Sequence, residues 1–120
     1  MIPLANQCQL YLYTGVADMR KAFDGLSGLV TSVLGRDPLD GSMYIFLNRR
    51  KNRMKCLIWD GDGFWLFYKR LEKGTFQIPF HVTGDEAIRL SYEQWMLILK
   101  GIDLSSIKHR PRYHGKVALE

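Results

Sequence analysis

Basic side chains are concentrated in one central segment of the chain, and clustered cations are the groups that bind phosphates. Residues 49–73 carry eight cations against three acids, and residues 108–116 add four cations and no acid. The whole chain has a net charge of +5, so the remainder is slightly acidic. This distribution predicts a polyanionic partner such as DNA. The predicted nucleic-acid-binding residues are Arg49, Arg50, Lys51, Arg53, Lys55, Lys69, Arg70, Lys73, Lys108, Arg110 and Arg112.

Four of these cations fall at the predicted tip of a β-hairpin, where a side chain cannot belong to the core. They are Arg49, Arg50, Lys51 and Arg53. Like charges at such short spacing repel one another unless a partner neutralises them. A basic hairpin tip fits a DNA groove or backbone. An acidic protein surface and simple solubility charge are the alternatives.

Aromatic residues alternate with basic ones along the predicted central strands. An exposed face of this kind would stack nucleic-acid bases and hold phosphates. Aromatic residues at this spacing also form ordinary cores, and that interpretation is preferred here. The open or covered position of Lys55, Trp59 and Tyr68 distinguishes the two. The residues concerned are Tyr44, Phe46, Trp59, Trp65, Phe67 and Tyr68, with Lys55, Lys69 and Arg70.

Catalytic chemistry finds little support in the sequence. The Asp60-Gly61-Asp62-Gly63 segment resembles the start of a calcium loop, but Phe64-Trp65-Leu66 follow where further ligands are required. A glycine turn explains it better. The sequence has no nucleophile motif, phosphate-binding glycine loop or converging carboxylates of a two-metal nuclease. We therefore predict a non-enzymatic protein with no metal and no cofactor.

Length and composition indicate one ordinary domain without a membrane anchor. Of the 120 residues, 47% are hydrophobic, which suffices for a core. No stretch approaches the roughly 20 apolar residues of a membrane span, and the first twelve residues do not resemble a signal peptide. Cys8 and Cys56 are too few and too far apart for a disulfide scaffold or a zinc site. These features predict a cytoplasmic protein.

Turn residues and hydrophobic periodicity predict an α+β fold. Residues 18–34 form a helix that Asp18 caps, and a second helix runs from Ser91 to Gly101 with a capping box to Gln94. We expect an antiparallel β-meander of about four to five strands, with both helices packed on one face. The predicted strands are Leu10–Tyr13, Met43–Asn48, Arg53–Trp59, Phe64–Leu71 and Thr75–Ile78, with a short edge strand at Ala87–Leu90.

The domain prediction separates a globular part from a basic end. Residues 1–107 are expected to form the single domain, and residues 108–120 a basic C-terminal tail without apolar periodicity. Leu119 and Glu120 resemble a cloning remnant. Phe23, Leu26 and Trp65 are expected in the core.

Two long motifs then point to a family. Residues 13–26 (YTGVADMRKAFDGL) resemble the N-terminal signature of the TnpB-type, or Orf-two-like, accessory proteins of the bacterial insertion-sequence sixty-six family. Residues 46–55 (FLNRRKNRMK), 59–66 (WDGDGFWL) and 68–76 (YKRLEKGTF) are similar to its second signature. The resemblance covers about residues 9–101.

This resemblance implies participation in DNA transposition beside a separate transposase that carries the catalytic acids. It supplies no binding or catalytic residues. Direct DNA binding through the basic hairpin and tail is one hypothesis. The other is a protein-interaction module that docks on the transposase or another accessory subunit without touching DNA. A nuclease, with Asp60 and Asp62 as metal ligands, is a third and disfavoured hypothesis.

Overall fold

A computed structural model describes residues 8–78 and 84–101, which form five strands and two helices. The chain order is β1 Leu10–Tyr13, α1 Phe23–Ser32, β2 Met43–Leu47, β3 Arg53–Trp59, β4 Phe64–Arg70, β5 Ala87–Leu90 and α2 Tyr92–Lys100. The α+β class and the five strands confirm the prediction from sequence.

The strands form one mixed sheet in the order β4-β3-β2-β1-β5. Strands β2, β3 and β4 are consecutive antiparallel neighbours, as a meander requires. The first strand instead lies between β2 and β5, parallel to β2 and antiparallel to β5. A purely antiparallel meander is therefore wrong in this one pairing, because the crossover through α1 returns β2 in the direction of β1.

The two helices pack on opposite faces of the sheet, and the expectation that both share one face is wrong. Trp95 and Ile98 of α2 join a cluster with Ile45 and Cys56, on what we call the α2 face. Leu26 and Val30 of α1 join a separate cluster on the α1 face. Successive residues of a strand point to opposite faces of the sheet. Consecutive residues of the central strands are buried, so both faces are covered and each face needs a helix. The α1-face cluster contains Tyr44, Phe46 and Leu57.

Local capping chemistry sets the ends of α2 as predicted. The Ser91 hydroxyl accepts from the Gln94 N–H at 3.0 Å, and the Gln94 side chain accepts from the Ser91 N–H at 2.9 Å. At the other end, Gly101 adopts a left-handed conformation with φ of 73°, which glycine does without a Cβ clash.

Helix α1 is shorter than predicted, because it begins at Phe23 rather than after Asp18. Asp18 caps a separate turn, in which its carboxylate accepts from the Arg20 N–H at 2.9 Å. The carbonyls of Met19 and Lys21, which a longer helix would bond to its own N–H groups, accept instead from the Lys55 ammonium. The segment before α1 is thus fastened to the sheet.

Three further expectations are wrong. Residues 75–78 form no strand: the Phe76 N–H donates to the Lys51 carbonyl at 2.7 Å, while the Phe76 and Ile78 side chains pack onto the α2-face cluster. This burial explains the strand-like alternation. Phe23 and Trp65 are about half exposed, at 45% and 51%, whereas Leu26 is fully buried.

No helix within the described ranges is both long and apolar enough to cross a bilayer. The predicted basic tail, with Lys108, Arg110 and Arg112, lies outside the residues that the structure describes.

Candidate nucleic-acid interface

The tip of the β2–β3 hairpin is held in one conformation by the side chain of Asn48. Its carboxamide oxygen accepts from the backbone N–H groups of Asn52 and Arg53, both at 3.0 Å. Its amide donates to the Asn52 side chain at 2.8 Å. This ring of bonds supports Lys51 in a left-handed conformation with φ of 58°. Arg49, Arg50 and Lys51 are consequently displayed, exposed, on a fixed backbone.

A later segment of the chain braces this tip from the side. The Leu71 N–H donates to the Asn52 carbonyl at 2.8 Å, and Phe76 donates to the Lys51 carbonyl. The exposed loop between Leu71 and Phe76 carries Lys73. The loop therefore brings a fifth cation, Lys73, to the side of the hairpin tip.

Two arginines lie directly opposite each other where β3 begins and β4 ends. Arg53 and Arg70 are Cα partners in the antiparallel ladder, so their side chains share the α1 face. The Arg53 guanidinium donates to the Tyr68 hydroxyl at 3.3 Å, and Arg70 forms an ion pair with Glu72 at 2.9 Å. Directly opposed like charges destabilise a sheet unless an anion lies between them.

We call this part of the molecule the basic end, and most of its charge has no local counter-ion. Within residues 8–78 and 84–101, only Arg70 among its members has a carboxylate within ion-pair distance. Exposed cations of one sign concentrated in this way attract polyanions over distances near the Debye length. The basic end comprises Arg49, Arg50, Lys51, Arg53, Lys69, Arg70 and Lys73.

Two open grooves flank Arg53 at the basic end. One, of about 380 Å³, lies between the hairpin tip and residues 16–19. The other, of about 520 Å³, is lined by Arg53, Tyr68, Arg70 and Glu72. Arg53 forms part of the wall of both grooves.

Lys55 has a different environment from the other predicted binding cations. Its side chain is buried, at 6% exposure, and its ammonium donates to the carbonyls of Met19 and Lys21 at 2.7 Å each. The ammonium also lies 4.7 Å from the centre of the Tyr68 ring. These contacts compensate the buried charge and hold the segment before α1 against the sheet. Lys55 is thus positioned as a structural cation.

The aromatic residues divide between the two interpretations made from the sequence. Tyr44 and Phe46 are buried in the core. Trp65 and Tyr68 on strand β4 are each 51% exposed, and they lie on opposite faces of the sheet. Trp59 is half buried and packs edge-on against Phe64. Trp65 stacks on the half-buried Phe67 with ring centroids 6.0 Å apart, so the exposed aromatics of β4 form this one pair on the α2 face and the separate Tyr68 on the α1 face.

Sequence reasoning did not predict that the loop before α1 lines a groove beside the hairpin tip. Asp18 lines the groove beside the hairpin tip, and the Arg20 guanidinium donates to both of its carboxylate oxygens, the shorter contact being 2.7 Å. These hydrogen bonds lower the pKa of Asp18 to about 2. Arg20 therefore neutralises the negative charge of Asp18, which lowers the positive charge of the basic end only slightly. The Asp18-x-Arg20 spacing is the only sequence signal for this pair.

The acidic turn lies at the opposite end of strand β3 from the tip. The Asp60 carboxylate accepts from the Trp65 indole N–H at 3.0 Å, and the Asp60 N–H donates to the Gly63 carbonyl at 2.8 Å. Across the described part of the chain, no group of three or more His, Cys, Asp or Glu side chains is arranged to hold a metal ion. The geometry is that of a hairpin turn.

Comparisons with known proteins give one family match and two similar proteins of one bacterium. The model of the family described as "IS66 Orf2 like protein" matches residues 8–109. The uncharacterized protein y4jC of Sinorhizobium fredii is 34% identical over 111 residues, which cover 92% of this chain and 93% of that protein. The uncharacterized protein y4hO of the same organism is 38% identical over 103 residues, covering 86% and 88%. No solved structure gives a significant match.

Proposed function

Because the chain belongs to the family of IS66 Orf2-like transposition accessory proteins, we propose that it binds DNA of the mobile element through the basic end. The observation that carries this proposal is the cross-strand pair Arg53 and Arg70, whose like charges lie side by side next to an exposed tricationic tip. A phosphate between the two guanidinium groups, taking the place of Glu72 at Arg70, would convert their repulsion into two charge-assisted contacts.

The form of the basic end favours backbone contact over base readout. Its cations project from a turn, a strand end and a loop, with no helix among them. Phosphate contacts position a protein on DNA without selecting sequence. Binding should therefore be salt-dependent and weakly sequence-selective, which suits an accessory protein that accompanies a separate transposase.

The test is binding of the full chain to duplex DNA from the element's end, measured by fluorescence anisotropy at several salt concentrations. The logarithm of the binding constant should fall linearly with the logarithm of salt. The variant Arg49→Ala/Arg50→Ala should reduce the steepness of that line by about 1.8 for two lost phosphate contacts. Lys51 is left unchanged because its left-handed backbone would add a conformational effect.

A matched control removes the same charge from elsewhere. Arg89→Ala/Lys100→Ala deletes two exposed cations on β5 and α2, and β5 is at the sheet edge opposite β4. This variant should keep the wild-type slope. Absence of DNA binding at low salt, or an equal effect of both double variants, would overturn the proposal.

The alternative of docking on the transposase without DNA contact predicts a different pair of results. The protein would co-purify with the transposase, and Arg49→Ala/Arg50→Ala would leave every DNA measurement unchanged. Measuring both properties on the same two double variants separates the two functions.

A further inference from the structure

Strand β4 forms one edge of the sheet and carries the most exposed large aromatic side chains of the described ranges. It follows β3 in the sheet order, and within residues 8–78 and 84–101 no other strand pairs with its outer side. Trp65 and Tyr68 are each 51% exposed there. A seven-residue edge with such side chains is a template for pairing with another strand.

The ladder shows which backbone groups face outward. The Asp60 N–H donates to Gly63, and the Leu71 N–H donates to Asn52, in the same register as the β3–β4 pairs. Hydrogen-bonded pairs alternate along an antiparallel ladder. Every second residue from Gly63 to Leu71 is therefore hydrogen-bonded to β3. The β4 residues between them turn their N–H and C=O groups away from β3. They are Phe64, Leu66, Tyr68 and Arg70.

The charge pattern of β4 is complementary to itself in one orientation. Its first half is aromatic, and its second half ends with Lys69 and Arg70. The Asp60 carboxylate, bound to the Trp65 indole, adds a negative charge beside the aromatic half. A parallel copy would place Lys69 against Lys69, whereas an antiparallel copy places each cation against the aromatic, acidic half.

From this complementarity we infer that β4 pairs with β4 of a second copy of this chain, antiparallel and centred on Phe67. In that register the outward groups of Leu66 meet those of Tyr68 of the second copy. Lys69 lies opposite Trp65 of the second copy, and Arg70 lies opposite Phe64. The twofold axis repeats every contact, as a closed dimer requires.

This register can be tested by substituting, one at a time, the two residues of one pair between the copies, Trp65 and Lys69. Trp65→Lys would oppose two lysines, and Lys69→Glu would bring a glutamate beside the Asp60 carboxylate of the second copy. Both side chains are exposed, so both variants should fold, which circular dichroism checks. Sedimentation of the full chain without DNA should show a wild-type dimer that each single change weakens at least about tenfold.

Mixing the two single variants gives the decisive result. In the mixed dimer the lysine introduced by Trp65→Lys in one copy meets the glutamate introduced by Lys69→Glu in the other, while the second pair stays as in the wild type. The mixture should therefore dimerise where each variant alone does not. Within one copy, positions 65 and 69 are about 13 Å apart along the strand, so the rescue cannot arise inside a single molecule.

Several outcomes would overturn the inference. These are a wild-type monomer at every concentration, a dimer that ignores both single changes, and a mixture no better than its components. A monomer whose tryptophan fluorescence responds to single-stranded oligonucleotide, with a response that Trp65→Lys abolishes, would assign the edge to nucleic acid instead. Because dimerisation is measured without DNA, it can fail while the proposed DNA binding holds.

Discussion

Strand β3 joins two tight turns that differ in almost every physical respect. At its start, the tip from Asn48 to Arg53 is shaped by side-chain hydrogen bonds and braced by residues 71–76. At its end, the turn from Asp60 to Gly63 relies on glycine, with Gly61 at φ of 73°. The hydrogen bonds at the tip hold repelling cations in place, whereas the acidic turn only reverses the chain.

The largest effect should come from the buried cation beside the tip. Lys55→Met removes two charge-assisted hydrogen bonds and leaves the Met19 and Lys21 carbonyls without their partner. We expect a loss of about 2–3 kcal/mol in the free energy of unfolding, measured by urea denaturation. The control Lys73→Met removes an exposed charge from the loop after β4 and should cost little.

The Lys55→Met variant also tests whether Lys55 contributes to DNA binding. Lys55→Met should keep the salt dependence of DNA binding, because its ammonium faces the protein rather than solvent. A reduced slope in a folded Lys55→Met protein would show that Lys55 contacts DNA after all.

Removing the side chain that organises the tip should have the next largest effect. Asn48→Ala deletes the acceptor for two backbone N–H groups, and about 2 kcal/mol of stability should be lost. Asn52→Ala deletes only the side-chain bond to Asn48 and should cost less than half as much. Equal losses, measured by the same denaturation experiment, would contradict the role given to Asn48.

The smallest effect is expected at the acidic turn. Gly61→Ala should cost about 1 kcal/mol, because alanine resists the left-handed conformation while its Cβ meets no atom within 4 Å. Gly63→Ala is the control, since Gly63 has equal space and no positive φ. If both changes were neutral in thermal unfolding, backbone conformation would not be what shapes this turn.

Features that depend on local chemistry were predictable from the sequence. The bounds of β3, both of its turns, the capping box of α2 and the α+β class follow from periodicity and turn residues within short windows. Arg49, Arg50 and Lys51 were also correctly placed on an exposed turn, whereas Arg53 is the half-buried first residue of β3.

Features that depend on distant partners were not predictable. The parallel pairing of β1 with β2 and the placement of α1 and α2 on opposite faces require both sides of the central strands to be covered. The carbonyl partners of Lys55 lie more than thirty residues earlier in the chain. A lysine within an alternating strand pattern gives no sign of such contacts.

The bracing of the hairpin tip has a consequence for the entropy of binding. An unstructured basic loop would lose about 1–2 kcal/mol per residue when DNA fixed its backbone. Here the backbone of residues 48–53 is already fixed by Asn48, Leu71 and Phe76, so that cost is met during folding. Only the long side chains of Arg49, Arg50 and Lys51 remain to be immobilised, and the electrostatic attraction is available almost in full for association.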